Sequence, residues 1–114
     1  MIKEALTKLA DKKGLSRAEA YESMNDIMTG QASDSQISGF LMALRLKGES
    51  PEEIAGCAQS MREKSVRIQT KHKDVIDTCG TGGDASGTFN ISTTAAIIAS
   101  AAGAVVAKHG NRAV

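Results

Sequence analysis

Asp77-Thr78-Cys79-Gly80-Thr81-Gly82-Gly83-Asp84 is the stretch on which the fold turns. It follows a short β-branched pair, Val75-Ile76, and precedes Thr88-Phe89-Asn90-Ile91-Ser92-Thr93. A strand that runs into a glycine-rich loop and then into a capped helix opens a βαβ unit. Ser92 or Thr93 is expected to cap a helix over 93–102, and Gly103 to close it. Ala104-Val105-Val106-Ala107 is the second expected strand, buried and parallel to the first, with a right-handed crossover. Ligands of such sheets bind at the carboxyl ends of the strands. Asp77–Asp84 and Lys108-His109-Gly110-Asn111-Arg112 both lie there.

That placement gives the segment a chemistry. A backbone without side chains can approach phosphate oxygens and aim several N–H donors at them. Gly80, Gly82 and Gly83 supply such a backbone. The Ser92/Thr93 helix start adds hydroxyls and the positive end of a helix dipole. Lys108 and Arg112 add cations, and Asn111 adds a neutral donor and acceptor. Asp84 cannot bind phosphate directly; it can orient loop donors, contact a ribose hydroxyl, or face Mg²⁺ through water.

Plainer readings stand beside these. Glycines at this density also make a tight turn. The pattern is neither GxxxxGK[ST] nor GxGxxG, which sets aside a P-loop and a Rossmann fingerprint. Ser92 serves as a plain cap, Asn111 after Gly110 as a turn, and His109 as a structural residue. Cys79 has no evident base partner, so a nucleophile is not assigned. No catalytic side chain is assigned at all.

The front of the chain is helical. Ile2, Leu6 and Leu9 recur at helical spacing, and Gly14 follows as a stop. Ser16-Arg17-Ala18-Glu19 is a capping box, and its helix carries Ala20, Tyr21, Met24, Ile27 and Met28 toward a core until Gly30. Ser33 to Gln36 forms a second box, followed by Ile37, Phe40, Leu41 and Leu44 and a stop at Gly48. Ser50-Pro51-Glu52-Glu53 combines an N-cap, a first-position proline and a glutamate three residues on. Ile54, Ala55, Ala58 and Met61 are expected to face inward. Each cap contributes about 1 kcal/mol. From Arg62 to Lys73 the chain turns basic and loses its stripe.

The fold class is therefore α plus α/β: a four-helix domain over 1–66, a connector over 67–74, and the first, incomplete βαβ unit of an α/β domain over 75–114. At 114 residues, 41% of them hydrophobic, the composition is that of a globular chain. Fourteen basic against thirteen acidic residues remove global charge as an argument for nucleic acid or membrane. With no Trp, one Tyr and two Phe, base-stacking platforms are not expected either. Cys57 and Cys79 form no CxxC pair and fit free thiols in a reducing compartment. The charged start has no apolar signal core, and Ala95 to Ala107 is too short for a span, so a cytoplasmic protein is expected.

The three motifs resemble the anthranilate phosphoribosyltransferase family: Asp77 to Asp84, Thr88 to Thr93, and Lys108 to Val114. The stretch Gly39 to Gly48 resembles that family's small helical domain. The resemblance covers essentially the whole chain. It implies transfer of the phosphoribosyl group of phosphoribosyl pyrophosphate to anthranilate, in tryptophan biosynthesis, with Mg²⁺. It implies that Gly80, Gly83, Asp84 and Thr88 contact phosphoribosyl pyrophosphate. It further implies that Asn90, Ile91, Ser92 and Thr93 hold its phosphates, with Ser92 a magnesium ligand. Lys108, His109, Gly110, Asn111, Arg112, Ala113 and Val114 would begin a covering loop. Gly80 and Asn111 would also touch anthranilate. A homodimer through the helical domain is implied as well.

The departure from the family is length: a second acidic metal motif, a further arginine and most of the sheet are not in these residues. The expectation is an N-terminal piece, inactive by itself. Pyrimidine nucleoside phosphorylases share the architecture with a different glycine loop and are the in-class alternative. A helical dimerisation module and a non-catalytic phosphate-binding domain are alternatives from other classes.

Overall fold

The computed structural model describes residues 1–80 and 89–110. The chain divides into two compact units, Met1–Arg67 and Ile68–Val114.

The first unit is four helices: α1 (Ile2–Ala10), α2 (Arg17–Met28), α3 (Asp34–Lys47) and α4 (Pro51–Lys64). All three expected capping boxes form, at Ser16/Glu19, Ser33/Gln36 and Ser50/Glu53. In each, the serine oxygen accepts from the backbone N–H three residues on, and that residue's side chain accepts from the serine N–H. Gly48 ends α3 with φ 85°, a left-handed conformation that glycine adopts without strain. The first helix stops earlier than Gly14 suggests. Its C-cap is Asp11, and Lys12 takes a left-handed φ of 56°.

The core holds Ile2, Ala5, Leu9, Leu15, Ala20, Met24, Phe40 and Leu44. Two expectations of facing need correction. On α3, Leu41 is exposed, while Phe40 and Leu44 are buried as expected. On α2, Met28 is exposed and Tyr21 half-buried, its hydroxyl donating to Glu63.

The larger correction concerns α4. Ile54, Ala58 and Met61 face solvent and Ala55 is half-buried, whereas Glu53, Gly56 and Ser60 are buried. The reason is the distance between helices. α2 and α4 pack against each other more extensively than any other pair. A Cβ built on Gly56 would stand 2.3 Å from the carbonyl oxygen of Arg17 and 3.0 Å from the amide nitrogen of Tyr21. Backbones this close admit only small residues: Ala20 packs against Gly56, and Ser23 of α2 and Ser60 of α4 are fully buried. The larger apolar residues of α4 are displaced to its flank. There, Leu41, Leu44, Ile54, Cys57, Ala58 and Met61 help line an open apolar cavity of about 280 Å³.

Among its described residues the second unit contains α5 (Ile91–Ala101) and one isolated parallel bridge, Ile76 with Val106. The two expected strands thus meet in parallel, but among the described residues neither forms a strand. Val75-Ile76 is too short. Ile76 alone presents both groups across the gap, donating to Val105 O at 3.0 Å and accepting from Ala107 N at 3.0 Å. Ile76 is exposed and Ala104–Ala107 half-buried, so the expected burial of that strand is also corrected. Helix α5 buries no residue, and Ile91, Ile97 and Ile98 are exposed. From Ser65 to Asp74 the chain has no regular structure and is exposed throughout. Among the described residues no helix is long and apolar enough to cross a membrane.

Candidate functional site

The candidate site belongs to the second unit. Its register comes from the Ile76–Val106 bridge. Because that pairing is parallel, Thr78 and Lys108, each two residues beyond it, leave at the same end. The loop entry is braced twice. Asp77 Oδ1 accepts from the amide of Cys79 at 2.8 Å, a local turn typical of aspartate. The hydroxyl of Thr78 donates to the carbonyl of Ser92 at 2.7 Å. This second bond joins the start of the glycine loop to the first turn of α5.

The cap of α5 is Asn90, not Ser92 or Thr93. Asn90 Oδ1 accepts from the amide of Thr93 at 3.1 Å and from the hydroxyl of Ser92 at 3.3 Å. Its carbonyl accepts from the amide and the hydroxyl of Thr94. The carboxamide stands two residues before Ser92 and three before Thr93, at the N-cap position from which a side chain reaches the N3 amide. Ser92 and Thr93 are consequently inside the first turn and half-buried. The amides of Ile91 and Ser92 stand in the first turn, at the positive end of the helix, where no backbone acceptor for them lies among the described residues.

Two glycines here are not explained by local structure. A Cβ at Gly80 or Gly110 would meet nothing within 4 Å among the described residues, and neither residue has a left-handed φ. Gly56 and Gly48, by contrast, are required by a close approach and by a backbone conformation. Lys108 donates to the neighbouring carbonyl of His109 at 2.9 Å, and it has no carboxylate partner among the described residues.

Of the expected site residues, Gly80, Asn90, Ile91, Ser92, Thr93, Lys108, His109 and Gly110 are described. Gly83, Asp84, Thr88, Asn111, Arg112, Ala113 and Val114 lie outside the described residues. Thr78 was missed by sequence reasoning. A threonine directly after the first strand was its only signal, and its partner is fourteen residues away. Among the described residues no cluster of three His, Cys, Asp or Glu could hold a metal. The Ser92 hydroxyl is a hard oxygen suited to Mg²⁺, but a lone hydroxyl needs the oxygens of a bound phosphate beside it. The fit is to a metal carried in with its ligand.

Comparison with known proteins separates the two units in the same way. Residues 3–65 match the glycosyl transferase family's helical bundle domain, and residues 72–114 match its α/β domain. The chain is 58% identical over all 114 residues to an anthranilate phosphoribosyltransferase of Thermoanaerobacter sp. (strain X514), covering 34% of it. It is 59% identical to the enzyme of that name from Caldanaerobacter subterraneus subsp. tengcongensis, again covering 34%. The crystal structure of anthranilate phosphoribosyltransferase from Thermus thermophilus superposes with a TM-score of 0.77 at 44% identity. That match covers 96% of this chain and 33% of the other. The chain spans about a third of the length of the curated relatives it matches. With both domain types present in order and its full length aligned to their N-terminal portion, the chain belongs to the glycosyl transferase family that includes the anthranilate phosphoribosyltransferases.

Proposed function

We propose that this chain supplies the phosphate-binding half of a phosphoribosyltransferase site. In the whole enzyme that site would transfer the phosphoribosyl group of phosphoribosyl pyrophosphate to anthranilate. One observation carries the reading: the parallel bridge at Ile76 and Val106 brings the glycine loop and Lys108 to one end, where Thr78 meets the start of α5. Relatives with over half of their aligned residues identical bear the name of that activity.

The chemistry suits these residues. The amine nitrogen of anthranilate forms a bond to the anomeric carbon while the carbon–oxygen bond to pyrophosphate breaks. The leaving pyrophosphate takes the electron pair, and the amine gives up a proton. No protein nucleophile is needed. Catalysis rests on holding the reactants in line and on stabilising charge as it grows on the leaving group. Gly80 admits phosphate close to the backbone. The first-turn amides of Ile91 and Ser92 donate to its oxygens, and Lys108 supplies a cation. Asn90 Oδ1 is occupied by the cap, so only its Nδ2 remains to donate outward. Gly83, Asp84, Thr88 and Asn111 to Val114 complete the proposed contacts, with Gly80 and Asn111 also touching anthranilate. Mg²⁺ bound with the pyrophosphate would be held in part by Ser92 and would supply further charge neutralisation.

The proposal includes a homodimer formed through the helical unit, in the cytoplasm. Its support is the exposure of Leu41, Met42 and Leu46 on α3. Calorimetry with phosphoribosyl pyrophosphate and Mg²⁺ tests the phosphate site, and no heat at millimolar ligand would refute it. Consumption of anthranilate by the full-length enzyme, against phosphorolysis of a pyrimidine nucleoside, separates the two in-class activities.

A further inference from the structure

We infer that Thr78 is a positioning residue, whose hydroxyl holds the glycine loop in register with the phosphate-binding first turn of α5. This rests on the phosphate reading of that loop. Thr78 is half-buried, and its Oγ1 donates to the Ser92 carbonyl at 2.7 Å. Ser92 O still has the second lone pair of any carbonyl for the helical bond expected of its position. The contact therefore adds to the helix without displacing its ladder.

The consequence is geometric. The donors assigned to the ligand come from two segments: the backbone near Gly80 and the amides of Ile91 and Ser92. Among the described residues of the second unit, the Thr78–Ser92 bond is the only hydrogen bond that runs from the segment before the loop to the helix after it. The Asp77–Cys79 bond shapes the loop entry but stays within it. Without the Thr78 hydroxyl, the two donor sets would have to be aligned by the ligand itself, at the cost of affinity. A pre-set spacing matters most where several short bonds must reach one phosphate together.

The test uses three versions of the chain: wild type, Thr78→Ser and Thr78→Val. Valine keeps the shape of threonine and removes only the hydroxyl, whereas serine keeps the hydroxyl. Each is titrated with phosphoribosyl pyrophosphate and Mg²⁺, followed by amide NMR shifts. Amide hydrogen exchange is measured without ligand. Thr78→Ser should bind within about threefold of wild type and Thr78→Val about tenfold more weakly, the range of one lost hydrogen bond. Exchange at Cys79 and Gly80 should speed up in Thr78→Val and stay unchanged in Thr78→Ser, with α1–α4 unaffected in both. Equal binding and exchange in Thr78→Val and wild type would overturn the role. So would an equal loss in Thr78→Ser and Thr78→Val, which would place the effect in packing. If wild type binds nothing at millimolar ligand, the phosphate reading fails by itself. The exchange data then decide the link: faster exchange in Thr78→Val alone supports it, and unchanged exchange refutes it.

Discussion

The ammonium of Lys47 lies 2.8 Å from Oε2 of Glu53, a side chain only 1% exposed. Glu53 also accepts from the amides of Leu15 and Ser50, each at 2.8 Å. One carboxylate thus joins the α1–α2 connection, the end of α3 and the start of α4. Burial by itself would raise its pKa. The bonds from Lys47, Ser50 and Leu15 outweigh that and bring it down to about 2, from an ordinary 4.5.

Removing this carboxylate should be costly. Glu53→Ala leaves the half-buried ammonium of Lys47, the buried amide of Leu15 and the half-buried amide of Ser50 without this acceptor and should destabilise the helical unit by about 3–4 kcal/mol. Glu53→Gln keeps the shape and an acceptor oxygen and should lose less, about 1–3 kcal/mol. Urea unfolding at neutral pH, followed by helical circular dichroism, measures both.

The same group predicts a direction for pH dependence. Its folded pKa lies below its unfolded one, so its contribution is complete above about pH 4.5 and fades as pH falls toward 2. Glu19 behaves alike, held at about 2 first by Lys8 and then by Ser16. The urea midpoint of wild type should therefore fall steadily between pH 4.5 and 2. Glu53→Gln should show a flatter profile over that window. Parallel profiles would contradict the assignment.

Gly56 and Gly80 should respond oppositely to the same substitution. Gly56→Ala drives a methyl into the backbone of α2. Alanine's helix preference is worth about 1 kcal/mol, but a clash at 2.3 Å with a carbonyl oxygen exceeds it. A net loss of about 1–3 kcal/mol is expected. Gly80→Ala meets none of the described residues and should leave stability within about 0.5 kcal/mol. It should weaken phosphoribosyl pyrophosphate binding at least tenfold, because the methyl stands where the ligand must approach. Thermal unfolding and calorimetry on the two variants separate packing from binding.

Asn90 separates capping from ligand charge. Asn90→Ala should destabilise α5 by about 1 kcal/mol, visible as faster amide exchange at Thr93 and Thr94. Asn90→Asp should keep the cap, since aspartate is as good an N-cap. Its added negative charge should still weaken binding of a phosphate ligand. Equal binding by Asn90→Asp and wild type would place the anion elsewhere.

The amino-acid sequence alone determined the helices of the first unit, their caps and the glycine loop's place between an extended segment and a helix. These are contacts within about four residues, such as Ser50 with Glu53, so residue type and spacing suffice. Tertiary structure decided which face each helix buries. On α4 the apolar stripe of Ile54, Ala58 and Met61 pointed the wrong way, because the closeness of the α2–α4 seam selects Gly56 and Ser60 by size. It also turned two expected strands into one bridge, since a pairing extends only as far as both segments present groups to each other. The cap fell to Asn90 because the helix begins at Ile91, earlier than the Ser92 or Thr93 start expected of it. The Thr78–Ser92 bond spans fourteen residues of chain, and no local pattern encodes a partner at that distance.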